Sequence, residues 1–262
     1  MTLLRHEIKM NLKTLLIWTL SVGVLCAGCI LLFKSLEESM RGMADAYSDM
    51  GAFSAALGMD KLSVSTLEGF YGTEIALMFA IGGAMFAAMT GASMLSKEEE
   101  GHTCEFLLTL PMGRRTVIFG KYMAMALLVL LFNGITVLLI LAGFAGIGEM
   151  PAGKTFALYH GAQLLMQLEI GSVCFLISSI AKRRQLGASL GLAMLLYMAD
   201  LMCRIIPDLE DLKYVTPYYF SNGADIFAGG KLESEMVMIC LIVTFFSVVA
   251  ATVVYEKRDL AA

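Results

Sequence analysis

The sequence predicts an all-α membrane protein: a six-transmembrane-helix bundle with an N-terminal interfacial helix and a short surface helix between spans 2 and 3. Three observations predict it. Of 262 residues, 58% are hydrophobic and only 16% charged, with a mean hydropathy of +0.75, whereas a soluble domain averages roughly 25% charged residues. Six apolar runs, near 14–33, 75–95, 122–145, 156–181, 186–206 and 235–254, each approach the ~20 residues that cross ~30 Å of hydrocarbon. The charges gather between those runs, and a net charge of −4 lacks the basic excess that would point to nucleic acid.

Residues 1–13 mix Arg5, His6, Glu7, Lys9 and Lys13 with Leu3, Leu4, Ile8, Met10 and Leu12, the pattern of a helix lying in the interface. No small-residue cleavage site follows Phe33, so the first span reads as an uncleaved signal-anchor. Residues 34–74 are acidic and carry Gly42, Gly51, Gly58 and Gly69, which predicts a loop with short helical pieces. Gly82, Gly83 and Gly91 in the second span allow close helix approach in a membrane. Gly146, Gly148, Pro151 and Gly153 form the turn before the fourth span, and Lys182, Arg183 and Arg184 a tight turn before the fifth. Residues 207–233 make a longer loop, whose Tyr214, Tyr218 and Tyr219 suit an aromatic belt. Six spans put both termini on one side, and twelve of the nineteen Lys and Arg residues fall on that side. The positive-inside rule then makes it the cytoplasmic face of a multi-pass cell-membrane protein. The whole chain, 1–262, reads as one transmembrane domain.

The densest charge lies in Ser96–Lys121. Glu98, Glu99 and Glu100 lead into a segment where Thr103, Phe106, Leu107 and Leu110 recur at i, i+3, i+4 and i+7, one apolar stripe along a helix. Pro111 ends that helix, and Arg114 and Arg115 precede the next apolar run. From the residues alone this is a membrane-surface helix tucked between two spans.

The order Glu98-Glu99-Glu100, Thr103, Glu105, Phe106-Leu107-Leu108, Pro111, Arg114 resembles the short cytoplasmic segment of ABC-2-type permeases, the membrane subunits of ATP-driven exporters. Members usually carry Gly just before the Thr; here that position is His102, with Gly101 one residue earlier. The resemblance implies a cytoplasmic coupling helix that docks in a groove of a separate ATPase. Phe106, Leu107 and Leu110 would be its knobs, with Glu98, Glu99, Glu100, Thr103, Glu105, Arg114 and Arg115 around them. It also implies two copies of the ABC ATPase subunit, a second permease copy or a paired permease, a membrane lipid environment, and a bacterial source. An ATP-binding loop is not expected in this chain, since Gly113-Arg114-Arg115-Thr116 has the wrong spacing and lacks the lysine. ATP and Mg would therefore sit on the partner ATPase, and this chain would bind no cofactor and no metal.

Polar residues inside the spans are candidates for a translocation path. Glu169 falls near the middle of the fourth span with Gln163 and Gln167 before it, and Asn133 falls in the third. A charge at mid-bilayer costs roughly 2.5–3.5 kcal/mol on insertion scales, so Glu169 should face protein or water. Either a substrate contact or an interhelical hydrogen bond would satisfy that, and Asn133 also suits helix–helix bonding. Asp200 and Arg204, at i and i+4, should pair with each other.

Two alternatives compete with transport. An intramembrane hydrolase would need converging catalytic groups, but His6, His102 and His160 are scattered without an H-E-x-x-H motif and the serines read without a nucleophile setting. A sensor or immunity protein would bind a peptide through 34–74 and 207–233 without moving it. Twenty methionines are spread along the chain, and Cys26-x-x-Cys29 lies within an apolar span, so both read as packing residues rather than copper or redox sites. The transport reading implies export of a hydrophobic or amphipathic small molecule or peptide.

Overall fold

The computed structural model describes residues 2–48, 50–104 and 113–258, and among them every regular element is helical. In chain order these are α1 (Thr2–Ser48), α2 (Ala52–Leu57), α3 (Leu67–Phe70), α4 (Ala76–Ser93), α5 (Ser96–Glu100), α6 (Arg114–Ile147), α7 (Gly153–Ile180), α8 (Leu186–Ile205), α9 (Gly223–Gly229) and α10 (Ser234–Lys257). A single π-helical turn, Tyr71–Ile75, joins α3 to α4, and a 3₁₀ segment, Pro207–Tyr214, follows α8. Among the described residues, six helices are long and apolar enough to cross a membrane: Leu3–Gly42, Leu67–Ser93, Arg114–Ile147, Gly153–Ile180, Leu186–Ile205 and Ser234–Lys257.

The largest departure from expectation is α1. Residues 1–13 do not form a separate interfacial helix, and 34–48 are not loop; one helix runs from Thr2 to Ser48. The chain offers no proline before Pro111 and no glycine before Gly23, so nothing interrupts propagation through the polar start, and in 34–48 only Gly42 weakens it. Beyond the apolar run, Arg41 bonds Glu37 at 2.6 Å across one turn and supports the helix there. The second and third spans also begin earlier than expected, at Leu67 and Arg114. Thr66 starts the second by accepting the Gly69 amide at 3.1 Å.

α4 and α7 form the centre of the bundle. Their backbones approach where Gly91 faces Gly171: a Cβ on Gly91 would stand 2.3 Å from the Gly171 carbonyl oxygen. α1 packs along α6, α10 along α7, and α8 against α4. The outward faces of α1, α8 and α10 remain apolar and exposed, at Leu20, Leu195, Leu241 and Phe245 among others, as helices facing lipid require.

Beyond Tyr214 the chain turns inward. Thr216 donates to the Leu196 carbonyl at 2.7 Å, the Gln163 amide donates to the Ser221 carbonyl at 2.8 Å, and Tyr218 and Phe220 are buried. Tyr218, expected in an interfacial belt, instead packs inside against Tyr197 at 5.6 Å between ring centres. Irregular backbone is tolerated at such a place because protein surrounds it. Arg204 fastens this end: it bonds Asp200 at 3.0 Å as expected, and also Asp225 at 2.7 Å and the Tyr219 carbonyl at 3.2 Å.

Candidate functional site

At the end of the bundle that carries both termini, α5 is held by three acids, each bonded to a cation from a different part of the chain. Glu98 accepts from Lys121 of α6 at 2.6 Å. Glu99 accepts from Arg258, just past α10, at 2.7 Å. Glu100 accepts from the Arg184 backbone amide at 2.8 Å and its guanidinium at 2.9 Å, between α7 and α8. Arg258 also donates to the Ser179 and Ala181 carbonyls at the end of α7, so Glu99 is tied to two helices through one side chain.

The centre of the network is Lys121, whose side chain has no exposure. Its three donors go to Glu98, to Glu7 of α1 at 2.9 Å and to the Met94 carbonyl at 2.9 Å. The second oxygen of Glu7 accepts from Lys97. Burial pushes the Glu98 carboxyl up, but the Lys121 charge and the hydrogen bonds from Lys121 and Thr103 together outweigh it and hold the group below the ordinary glutamate range. Hydrogen bonds from the Arg184 side chain and backbone hold Glu100 below that range as well.

α5 ends in a Schellman turn: the Thr103 amide bonds the Glu98 carbonyl at 2.9 Å and the His102 amide bonds the Glu99 carbonyl at 3.1 Å. His102 takes φ 52°, the left-handed conformation that glycine adopts most easily. The Thr103 hydroxyl closes the turn onto Glu98 at 2.7 Å. Glu105, Phe106, Leu107 and Leu110, with Pro111, lie outside the described residues. On the far side of that segment, Arg114 donates to the Glu256 and Arg258 carbonyls at 3.0 and 2.9 Å, and Arg115 bonds the Glu256 carboxylate at 2.5 Å. Both flanks of 105–112 are thus anchored to other helices.

The four mid-span candidates lie in three different places in the bundle. The Asn133 amide donates to Gln167 at 2.7 Å, between α6 and α7 and against Gly83 of α4. Gln163 points to the inward-turning segment and borders a cavity of about 40 Å³ with Tyr197, Tyr218 and Asn222. Glu169 lies on another face of α7, toward α10, beside Cys240.

Against the expectation of no such motifs, two strings in the sequence carry the letters of catalytic motifs. Gly148-Glu149-Met150-Pro151-Ala152-Gly153-Lys154-Thr155 fits the spacing G-x-x-x-x-G-K-T. The structure gives it no strand: Gly148 caps α6, Gly153 opens α7, and the Ala152 amide is bonded to the Glu68 carboxylate at 2.9 Å. A phosphate loop needs a strand–loop–helix setting, so this is a helix–helix turn. Gly187-Ala188-Ser189-Leu190-Gly191 has the letters of a serine elbow, but Ser189 is buried in the first turns of α8 and its hydroxyl donates to the Leu186 carbonyl at 2.9 Å.

The sequence model of the family described as ABC-2 family transporter protein matches residues 1–260. The chain belongs to the ABC-2 transporter family. No curated protein matches it. As an ABC-2 permease it is a multi-pass membrane subunit of a transporter rather than an enzyme, and permeases of this family generally pair with ABC ATPase subunits. Glu7, Lys121, Arg184 and Arg258 are the members of this ionic network that the sequence pattern does not single out. Lys121 carried a usable signal: with the helix starting at Arg114 it sits two turns inside an apolar span, where a cation needs a counter-ion.

Proposed function

We propose that this chain is the membrane permease subunit of an exporter driven by ATP hydrolysis on a separate ABC ATPase subunit. The ATPase is present in two copies and carries the ATP and Mg; this chain binds no cofactor. A second copy of the chain, or a paired permease, completes the assembly. The cargo is a hydrophobic or amphipathic small molecule or peptide moved outward. Both termini face the cytoplasm of a bacterial cell, as the distribution of Lys and Arg favours.

The observation that carries this reading is the fastening of α5 by Glu98, Glu99 and Glu100 to α6, to the end of α10 and to the α7–α8 turn. A displacement applied to the adjoining segment 105–112 would be passed to these elements together. The same acids that would border a docking surface are thus engaged within the chain, which leaves Phe106, Leu107 and Leu110 as the contacts for the ATPase and Glu105 beside them. ATP-driven closure of the two ATPases would move the segment, and the spans would rock to open a path.

The test is co-purification. Tagged wild-type chain in mild detergent should retain a soluble ATPase, and the variant Phe106→Asp with Leu110→Asp should lose it while remaining monodisperse. Absence of any ATPase from folded wild-type protein would remove the coupling reading and favour a chain that binds a peptide without moving it.

A further inference from the structure

Glu169 lies about 24 Å along the roughly 42 Å of α7, near the middle of the bundle. Together with Met236 and Cys240 of α10 it walls a crevice closed on the other side by Thr216, Pro217 and Phe220 of the inward-turning segment. Its carboxylate is buried, and among the described residues Oε2 accepts no hydrogen bond. Such a group at this depth requires a partner. Lys213 also borders the crevice, but it is bonded to Glu210 at 2.5 Å and lies 5.3 Å over the Tyr214 ring, so its charge is already matched.

The cavity beside Glu169 is about 10 Å³, room for one water-sized group. Its outer wall, α10, is the least enclosed of the six spans, with 17% of its apolar window buried. Leu241 and Phe245 on that helix face outward. Exposed Tyr214 and Val215 rim the crevice, so an occupant can place a small head inside and leave an apolar chain outside along them.

We propose that Glu169 receives the primary ammonium head of a single-chain amphiphile that enters past the exposed Tyr214 and Val215 rim. An ammonium head supplies a hydrogen-bond donor to the unpartnered Oε2 and a positive charge beside the carboxyl. A trimethylammonium head exceeds the cavity, an anionic head is repelled by Glu169, and a hydroxyl supplies the bond without the charge. The Phe220 ring and the Met236 thioether form the remaining apolar wall. As a statement about cargo this rests on the permease reading, but the binding step needs no ATPase.

Full-length chain in phosphatidylcholine nanodiscs would be titrated with radiolabelled octylamine, octanol and octyltrimethylammonium. Octylamine should bind saturably, with Glu169→Gln weakening it by about tenfold or more and Glu169→Asp falling between. Octanol should bind wild type and Glu169→Gln alike, and octyltrimethylammonium should bind more weakly than octylamine. The proposal is overturned if octylamine shows no saturable binding, if Glu169→Gln leaves it unchanged, or if octanol and octylamine fall together, which marks a collapsed crevice. A failed ATPase co-purification leaves a positive result here standing, and a failure here leaves the coupling reading untouched.

Discussion

Lys121 and Glu7 meet at 2.9 Å with side-chain exposures of 0% and 1%, and so join α6 to α1 through a buried ion pair 114 residues apart in the chain. Removing one member of a buried pair leaves an uncompensated charge and costs about 3–5 kcal/mol. Lys121 serves Glu7, Glu98 and the Met94 carbonyl at once and is wholly buried, whereas loss of Glu7 leaves Lys121 with Glu98 and frees Lys97, whose side chain is 20% exposed. Lys121→Met should therefore lower the thermal unfolding midpoint in detergent more than Glu7→Gln does. Equal midpoints for wild type and Lys121→Met would show that the network contributes nothing to stability.

His102 occupies the left-handed position of the turn that ends α5. A non-glycine residue there costs about 1–2 kcal/mol, partly offset by the entropy that glycine loses on folding. His102→Gly should raise stability by about 0.5–1 kcal/mol, and His102→Val, which is β-branched, should lower it. Unfolding midpoints of the two variants test this, and a stabilising valine would contradict it.

The depressed carboxyls of Glu98 and Glu100 set an acid limit. Each has a folded-state value below its ordinary 4.5, so between the two values the unfolded chain binds more protons. The stabilisation is then fully present above about 4.5 and declines as pH falls through the lower folded values. Unfolding midpoints measured as pH falls below about 4.5 should drop more steeply for wild type than for Glu98→Gln, whose midpoint is lower at neutral pH. Parallel curves would argue against these pairs.

The six spans were legible because an apolar run of that length, bounded by charges, suits a lipid layer better than a water-facing fold. The ends of α1 were not, because polarity marks where a chain leaves lipid but not where a helix stops. The Asp200–Arg204 pair was legible as a one-turn spacing, whereas Glu99 and Arg258, 159 residues apart, leave no local mark of their meeting. Tyr218 has the composition of an interfacial tyrosine and the placement of a core one, since the Thr216, Gln163 and Arg204 bonds between this segment and the surrounding helices turn it inward. The G-x-x-x-x-G-K-T string shows the converse: letters without the preceding strand carry no phosphate chemistry. Of the segment expected to dock, α5 and the start of α6 have defined partners.

The 47 residues of α1 make an unbroken rod of about 70 Å, more than twice the ~30 Å hydrocarbon layer. Glu7 pins one end of it among Lys97 and Lys121, while Arg41 and Glu37 lie toward the other. A tilt of about 5° about Glu7 would sweep the Ser48 end through about 5 Å. One helix thus leads from the ionic base to the far end of the bundle, so a change of angle at the first is amplified in space at the second and has to be accommodated along the α6 face on which Leu15, Val22, Cys26 and Ile30 are buried.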